Sequence, residues 1–124
     1  MMIDLKNKNI IVTGASGGIG NSIVEKLNLS GANILATGTR EEKLKELKEK
    51  FNNIKTLRFD ISNHEKIEEF IENATNELGG SLDCIVNNYI TMDQTLILKM
   101  QQMSLAGIWI ALLTMPELQK IILL

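Results

Sequence analysis

Cysteine, proline and histidine each occur once in this 124-residue sequence, and their scarcity excludes several classes of protein. Cys84 has no partner cysteine, so the fold is not a disulfide scaffold, and its place in an apolar run predicts a buried, unreactive thiol in a reducing compartment. His64 has no second histidine with which to share a metal ion. We therefore predict no metal site and expect His64 to be an exposed residue at a helix start.

The sequence also lacks a large excess of one charge and a long hydrophobic run. A net charge of −2 provides no basic surface for nucleic acid. The longest apolar stretch, Leu105 to Met115, is too short to span a bilayer, and Met1 to Asp4 lacks the features of a signal peptide. With 44% hydrophobic and 23% charged residues, we expect an ordinary globular protein in the cytoplasm, outside the membrane.

Glycine, in contrast, is concentrated in the stretch from Thr13 to Gly20, which follows the apolar run Asn9 to Val12. A turn between a buried strand and a helix can bind phosphate, because the first N–H groups of a helix have no intrahelical partners and the helix dipole is positive there. We expect Gly14 to permit the turn, Gly18 to let a ligand approach, and Gly20 to let the helix pack closely on the sheet. The alternative is a glycine-rich surface turn without a ligand.

Apolar runs and helical patterns alternate along the chain after this turn. Two capping boxes, Thr39 to Glu42 and Ser62 to Glu65, predict the starts of the second and third helices. The connections are too long for hairpins, so the sequence predicts an α/β fold with a Rossmann-like, doubly wound parallel sheet. The predicted strands are Asn9–Thr13, Asn33–Thr37, Ile54–Phe59 and Leu82–Asn87.

The pattern weakens after Asn88, which suggests a division of the chain at residue 103. We expect residues 1–103 to form the dinucleotide-binding unit and residues 104–124 to form an atypical apolar tail that is helical. The sheet would then stop after about four strands, leaving the far edge of the fourth strand open and apolar. Either the tail covers that edge or two chains pair through it.

Four features at matching intervals resemble the short-chain dehydrogenase/reductase family, in particular its 3-oxoacyl-acyl-carrier-protein reductases. The resemblance covers roughly residues 1–103, and the glycine turn together with Asn87-Asn88 is its most specific part. The other two features are the end of the second strand, Ala36 to Arg40, and the step Phe59-Asp60-Ile61.

The resemblance implies a set of residues around a nicotinamide dinucleotide. Asp60 and Ile61 would hold the adenine, and Asn87 would lie beside the ribose on the nicotinamide side. The pyrophosphate and adenosine ribose would be surrounded by Gly14, Ser16, Gly18, Ile19 and Gly20.

The choice between NADP and NAD depends on the end of the second strand. An acidic residue about twenty positions after the glycine turn would bind a free 2′-hydroxyl and repel a 2′-phosphate. This chain has Thr39 and Arg40 there, with no carboxylate before Glu41, so NADP is favoured over NAD. The alternative is that Arg40 simply pairs with Glu41, Glu42 or the helix surface.

Two departures from the family pattern bear on activity. Asn87-Asn88 is followed by Tyr89 where the family has Ala-Gly, which places a bulky ring near the cofactor. The family's catalytic serine, tyrosine, lysine and relay asparagine have no counterpart, since the only tyrosine is Tyr89 and Asp93 stands four residues after it. The sequence therefore predicts no catalytic residues, and a frameshift or truncation near Ser104 would account for the atypical tail.

These observations lead to two hypotheses. The first is the dinucleotide-binding half of an NADPH-dependent reductase that acts on an acyl-carrier-protein-linked substrate, without substantial turnover on its own. The second is a non-catalytic nucleotide-binding or interaction protein that forms a homo-oligomer or pairs with a full-length homologue. A damaged gene product without activity is a third possibility.

Overall fold

The computed structural model describes residues 4–15, 17–60, 63–87 and 109–112. The strands are β1 (Asn9–Thr13), β2 (Asn33–Gly38), β3 (Lys55–Arg58), β4 (Cys84–Asn87) and β5 (Trp109–Leu112). The helices are α1 (Gly18–Leu29), α2 (Glu41–Lys50) and α3 (Ile67–Glu77), with a 3-10 turn at His64–Lys66 before α3. The strands form one sheet in the order β3-β2-β1-β4-β5, and every pairing is parallel.

Strand β1 is the structural centre of the sheet, and all five of its residues are buried. Ile11 lies in register with Leu35 of β2 on one side and with Ile85 of β4 on the other. A strand with neighbours on both edges and helices over both faces reads as a continuous apolar run, which is why β1 could be predicted with its observed limits.

The hydrophobic core consists of one layer on each face of the sheet, because successive side chains of a strand point to opposite faces. Ile10 and Val12 face α1 and α2, where they join Val24 and Leu47. Ile11 faces the other way, in a cluster with Leu35, Phe70, Ala74 and Ile85 beneath α3. Helices on both faces of a parallel sheet confirm the predicted Rossmann-like, doubly wound fold.

At the amino-terminal end of the sheet, hydrogen bonds connect β1 to β2 and to the loop before β4. The Asn9 N–H donates to Oδ2 of Asp83 over 2.8 Å, and the Asp83 N–H donates to the Asn9 carbonyl over 2.9 Å. The Asn9 side chain donates to the Ser81 carbonyl at 2.9 Å and accepts from the Asn33 amide at 3.0 Å. Asp83 therefore links the start of β1 to the loop before β4.

Neither predicted capping box starts its helix. Arg40 rather than Thr39 is the N-cap of α2, and no side chain caps that helix. Helix α3 begins only after the 3-10 turn, with Lys66 as its N-cap and again without a side-chain cap, while Ser62 lies outside the described residues. Both helices carry two glutamates in their first turn, which interact favourably with the helix dipole and make a side-chain cap less necessary.

The apolar tail differs from the expectation at residues 109–112, which form a strand where a helix was predicted. Strand β5 runs parallel to β4, with Cys84 in register with Trp109 and Asn87 with Leu112. The predicted open edge of the fourth strand is therefore covered by the tail of the same chain. Uniformly apolar runs of this length do not distinguish a buried strand from a buried helix by periodicity, which explains the error. The rest of the predicted tail lies outside the described residues.

Candidate functional site

The candidate site lies at the carboxyl ends of the strands, which meet at one edge of a parallel sheet. Gly14 follows β1, Thr39 follows β2, Asp60 lies two residues after β3, and Asn87 is the last residue of β4. Strand β1 stands between β2 and β4, where the connections change from the α1–α2 face to the α3 face. In open α/β sheets, ligands bind in the crevice at such a change.

The chain leaves β1 through a turn that requires glycine. Gly14 has a φ of +62°, in the left-handed region that favours glycine. The next residue, Ala15, is fully buried and donates its N–H to the Thr37 carbonyl of β2 over 3.0 Å. Gly14 therefore makes the tight turn predicted for it, and the hydrogen bond to β2 fixes the turn against the sheet.

Gly20 brings the first turn of α1 into contact with this same turn. A Cβ atom added to Gly20 would lie 2.3 Å from the Gly14 carbonyl oxygen and 2.6 Å from the Ala15 Cα, closer than real Cβ atoms come to backbone. The close helix packing predicted for Gly20 is thus against the turn after β1.

The start of α1 has the properties of an anion site. Gly17 is its N-cap with no side-chain hydrogen bond, and the first turn contains no acidic residue. A Cβ atom added to Gly18 would meet no other atom within 4 Å, so the backbone there faces open space. The Asn21 N–H donates to the Gly17 carbonyl, so the N–H groups of residues 18–20 precede the first intrahelical bond.

These features fit a pyrophosphate, because backbone donors, the positive helix end and open space coincide at Gly18. Helix α2 provides the contrast within the same chain, since Glu41 and Glu42 in its first turn would repel an anion. Ser16 lies outside the described residues, as does the side chain of Ile19, so their predicted contacts stay predictions.

Thr39 and Arg40 form part of the rim after β2, and both are exposed. Arg40 makes no ion pair with any carboxylate among the described residues, so the alternative in which it pairs with Glu41 or Glu42 is not observed. Arg58, the last residue of β3, lies in register with Gly38 and donates from Nε to the Thr39 carbonyl over 3.0 Å.

The position of Arg58 at this rim was not predicted from the sequence. The sequence shows only an arginine two residues before Asp60, in a short predicted strand. The parallel register between β2 and β3 is needed to see that this arginine reaches the Thr39 carbonyl.

The remaining predicted residues lie at the same edge. Asp60 is exposed, and its carbonyl accepts from the Asn63 N–H over 3.0 Å. The backbone of Asn87 is in register with Thr13, beside the start of the glycine turn, while its side chain, Ile61 and Tyr89 are outside the described part of the chain. The structure thus brings together, at the backbone level, Gly14, Gly18, Gly20, Thr39, Arg40, Asp60 and Asn87.

A surface groove of about 350 Å³ lies beside the glycine turn, between α1 and α2. Its lining includes Gly17 and Gly18, so the groove adjoins the start of α1. Within it, Lys43 and Glu46 form an ion pair at 3.5 Å, and Lys50 lies 3.4 Å from the Asn21 side-chain oxygen.

The described residues provide no reactive thiol and no metal centre. Burial, with a smaller contribution from Asp83, raises the pKa of the Cys84 thiol to about 11, so the thiol is protonated at neutral pH. No three histidine, cysteine, aspartate or glutamate side chains within the described ranges are grouped to hold a metal ion. No described helix is long and apolar enough to cross a membrane.

Comparison with known proteins agrees with this geometry. A family profile described as short chain dehydrogenase matches residues 8–108. The chain is 35% identical over 101 residues to the 3-oxoacyl-acyl-carrier-protein reductase FabG of Rickettsia felis, covering 81% of this chain and 40% of the relative. It is 33% identical over 96 residues to 3beta-hydroxysteroid dehydrogenase 2 of Eggerthella lenta, covering 74% and 36%.

A crystal structure of a short-chain dehydrogenase/reductase from Brucella melitensis superposes with a TM-score of 0.71 at 22% identity, covering 87% of this chain and 53% of that one. At that identity the likeness shows the fold alone. The chain spans about two fifths of the length of the curated relatives described above.

Proposed function

Because the chain belongs to the short-chain dehydrogenase family, we propose that it binds a nicotinamide dinucleotide, with NADP favoured over NAD. The observation that carries the proposal is the start of α1, where an uncapped helix end without acidic residues faces open space at Gly18. Anionic phosphate oxygens would accept hydrogen bonds from the backbone there.

The family resemblance suggests the roles of the residues, and the positions of the described ones at the sheet edge support them. Thr39 and Arg40 would contact the 2′-phosphate, which is favoured because Arg40 pairs with no carboxylate among the residues that the structure describes. Asp60 and Ile61 would hold the adenine, and Asn87 the ribose next to nicotinamide. The pyrophosphate and adenosine ribose would be held by Gly14, Ser16, Gly18, Ile19 and Gly20.

The bound cofactor would supply a hydride, and this chain would supply its binding site. We propose that the chain is the dinucleotide-binding half of a reductase of the 3-oxoacyl-acyl-carrier-protein type, to which the Rickettsia relative's name points. The Eggerthella relative, at nearly the same identity, is named for a steroid substrate, so the proposed acyl substrate rests on the resemblance of the sequence motifs. Without a serine, tyrosine and lysine at the family's positions, we expect these 124 residues alone to show no substantial turnover.

The second candidate is a nucleotide-binding or interaction protein that pairs with a copy of itself or with a full-length homologue. Strand β5 favours it, because within the described part of the chain β5 is the last strand of the sheet and has no neighbour on its outer side. Backbone groups on such an edge can pair with another chain.

Titration of the purified chain with NADPH, followed by cofactor fluorescence, tests the proposal. We expect saturable binding by the wild type and weaker binding by Gly18→Ala, because the added Cβ meets no protein atom within 4 Å and would stand in the space that the phosphate is proposed to occupy. Gly18→Asp places a carboxylate at the anion site and should weaken binding at least about tenfold. Absence of saturable binding to the folded wild type would refute the cofactor proposal.

A turnover assay on the same sample tests the absence of substantial turnover, which both candidates predict. Oxidation of NADPH by an acetoacetyl thioester at rates typical of the family would contradict the expectation of a binding half. Mixing the chain with a full-length relative, followed by size-exclusion chromatography, tests pairing directly. A stable complex would favour the second candidate.

A further inference from the structure

Two arginines, Arg40 and Arg58, lie at the rim formed by the ends of β2 and β3. Arg40 begins the connection into α2, and Arg58 ends β3 in register with Gly38. The 3.0 Å hydrogen bond from Arg58 Nε to the Thr39 carbonyl attaches the second guanidinium to the residue that precedes Arg40. Both arginines are exposed.

Neither arginine is neutralised within the described residues. The ion pairs found there join Lys43 to Glu46 and Lys66 to Glu69, and Glu41 and Glu42 at the start of α2 pair with neither guanidinium. A guanidinium has five N–H donors in a planar fork, so Arg58 keeps its two terminal amino groups after Nε has bonded to Thr39. Two unpaired cations beside an exposed hydroxyl residue suit a dianion rather than a sugar hydroxyl.

We propose that Arg58 acts with Arg40 to bind the 2′-phosphate of an NADP-type cofactor, and that it thereby selects this cofactor over NAD. The proposal rests on the proposed function and adds to it a specificity-determining residue on a different strand. The hydrogen bond to Thr39 gives Arg58 a fixed place at the rim, which a flexible lysine would lack because its single ammonium would have to serve both partners.

The test uses two nucleotide halves that differ only by the phosphate, 2′,5′-ADP and 5′-AMP, titrated calorimetrically into the full chain. We expect the wild type to bind 2′,5′-ADP more tightly. Arg58→Gln should weaken 2′,5′-ADP binding about fivefold, the upper range for an exposed charge pair, and leave 5′-AMP binding unchanged. Lys55→Gln is the matched control, because it removes one positive charge from the opposite end of the same strand, and it should change neither.

Three outcomes would overturn the proposal. If Arg58→Gln keeps the wild-type preference while Arg40→Gln loses it, Arg58 does not contact the phosphate, and the proposed cofactor site stands. If Arg58→Gln weakens both ligands equally, the bond to Thr39 has a structural role only. If the wild type binds 2′,5′-ADP no more tightly than 5′-AMP, the proposed preference for NADP fails together with the role of Arg58.

Discussion

Gly20→Ala and Gly18→Ala are a sharp test of the turn geometry, because two glycines two residues apart on one helix have opposite surroundings. The methyl group added at position 20 would stand 2.3 Å from the Gly14 carbonyl oxygen and 2.6 Å from the Ala15 Cα, and both atoms belong to backbone. The methyl group added at position 18 would meet nothing within 4 Å. Gly20→Ala therefore requires the backbone to shift, whereas Gly18→Ala does not.

The backbone at Gly14 and Ala15 has little room to give. Ala15 is fully buried and bonded to Thr37, and Gly14 already uses a positive φ. Overpacking of a well-packed site costs about 1–3 kcal/mol of unfolding free energy, and a contact with rigid backbone belongs near the upper end. Alanine at position 18 should instead be neutral or stabilise the protein by up to about 1 kcal/mol, because it restricts the unfolded chain.

Urea unfolding followed by circular dichroism at 222 nm measures both variants against the wild type. We expect Gly20→Ala to lose about 2–3 kcal/mol with an unchanged urea dependence, and Gly18→Ala to stay within about 0.5 kcal/mol of the wild type or exceed it. Equal stability of the two variants would refute the assignment of close packing to Gly20.

Changes at three further residues, Asp83, Thr37 and Cys84, test the core and the amino-terminal end of the sheet. Asp83→Ala should lower the unfolding free energy by about 1–2 kcal/mol, because it leaves the buried Asn9 N–H without its acceptor. Asp83→Asn keeps an acceptor and should lower it less, so equal losses of the two variants in urea unfolding would contradict this reasoning. Thr37→Val should stabilise the protein by about 1 kcal/mol, since the buried Thr37 hydroxyl has no hydrogen-bond partner in the described structure, and a lower midpoint in urea would argue against it. The Cys84 thiol should react slowly with a disulfide reagent at pH 8 unless urea is present. Because folding raises the pKa of this thiol from 9.0 to about 11, the unfolding free energy should fall as the pH rises through that range, and a Cys84→Ala variant should lack this pH dependence.

The order of strands and helices could be predicted because local patterns and topology agreed. Strand β1 is buried along its whole length, so its apolar run and observed limits coincide. The roles of Gly14 and Gly20 could also be predicted, because a tight turn and a close backbone contact each require glycine. Strand β3 was predicted one residue too long at each end, because only Lys55–Arg58 pairs with β2.

The errors arose where the decisive contact is distant in sequence. Thr39 and Glu42 have the spacing of a capping box, yet the helix starts at Glu41, so Thr39 stays outside it and its carbonyl accepts from Arg58. Residues 109–112 gave no periodic signal, and their conformation is set by pairing with β4, which lies more than twenty residues earlier. Arg58 could be related to Thr39 only through the β2–β3 register.

The two ends of the sheet have different roles, stability at the amino end and, as proposed, binding at the carboxyl end. At the amino end, the Asp83 carboxylate accepts from the Asn9 N–H and the Asn9 carbonyl accepts from the Asp83 N–H, so these polar groups stabilise the fold. At the carboxyl end, the helix start at Gly18 and the guanidinium of Arg40 are left without protein partners in the described residues. A ligand that binds only the folded state stabilises it, so a nucleotide should raise the unfolding free energy of the wild type more than that of Gly18→Asp.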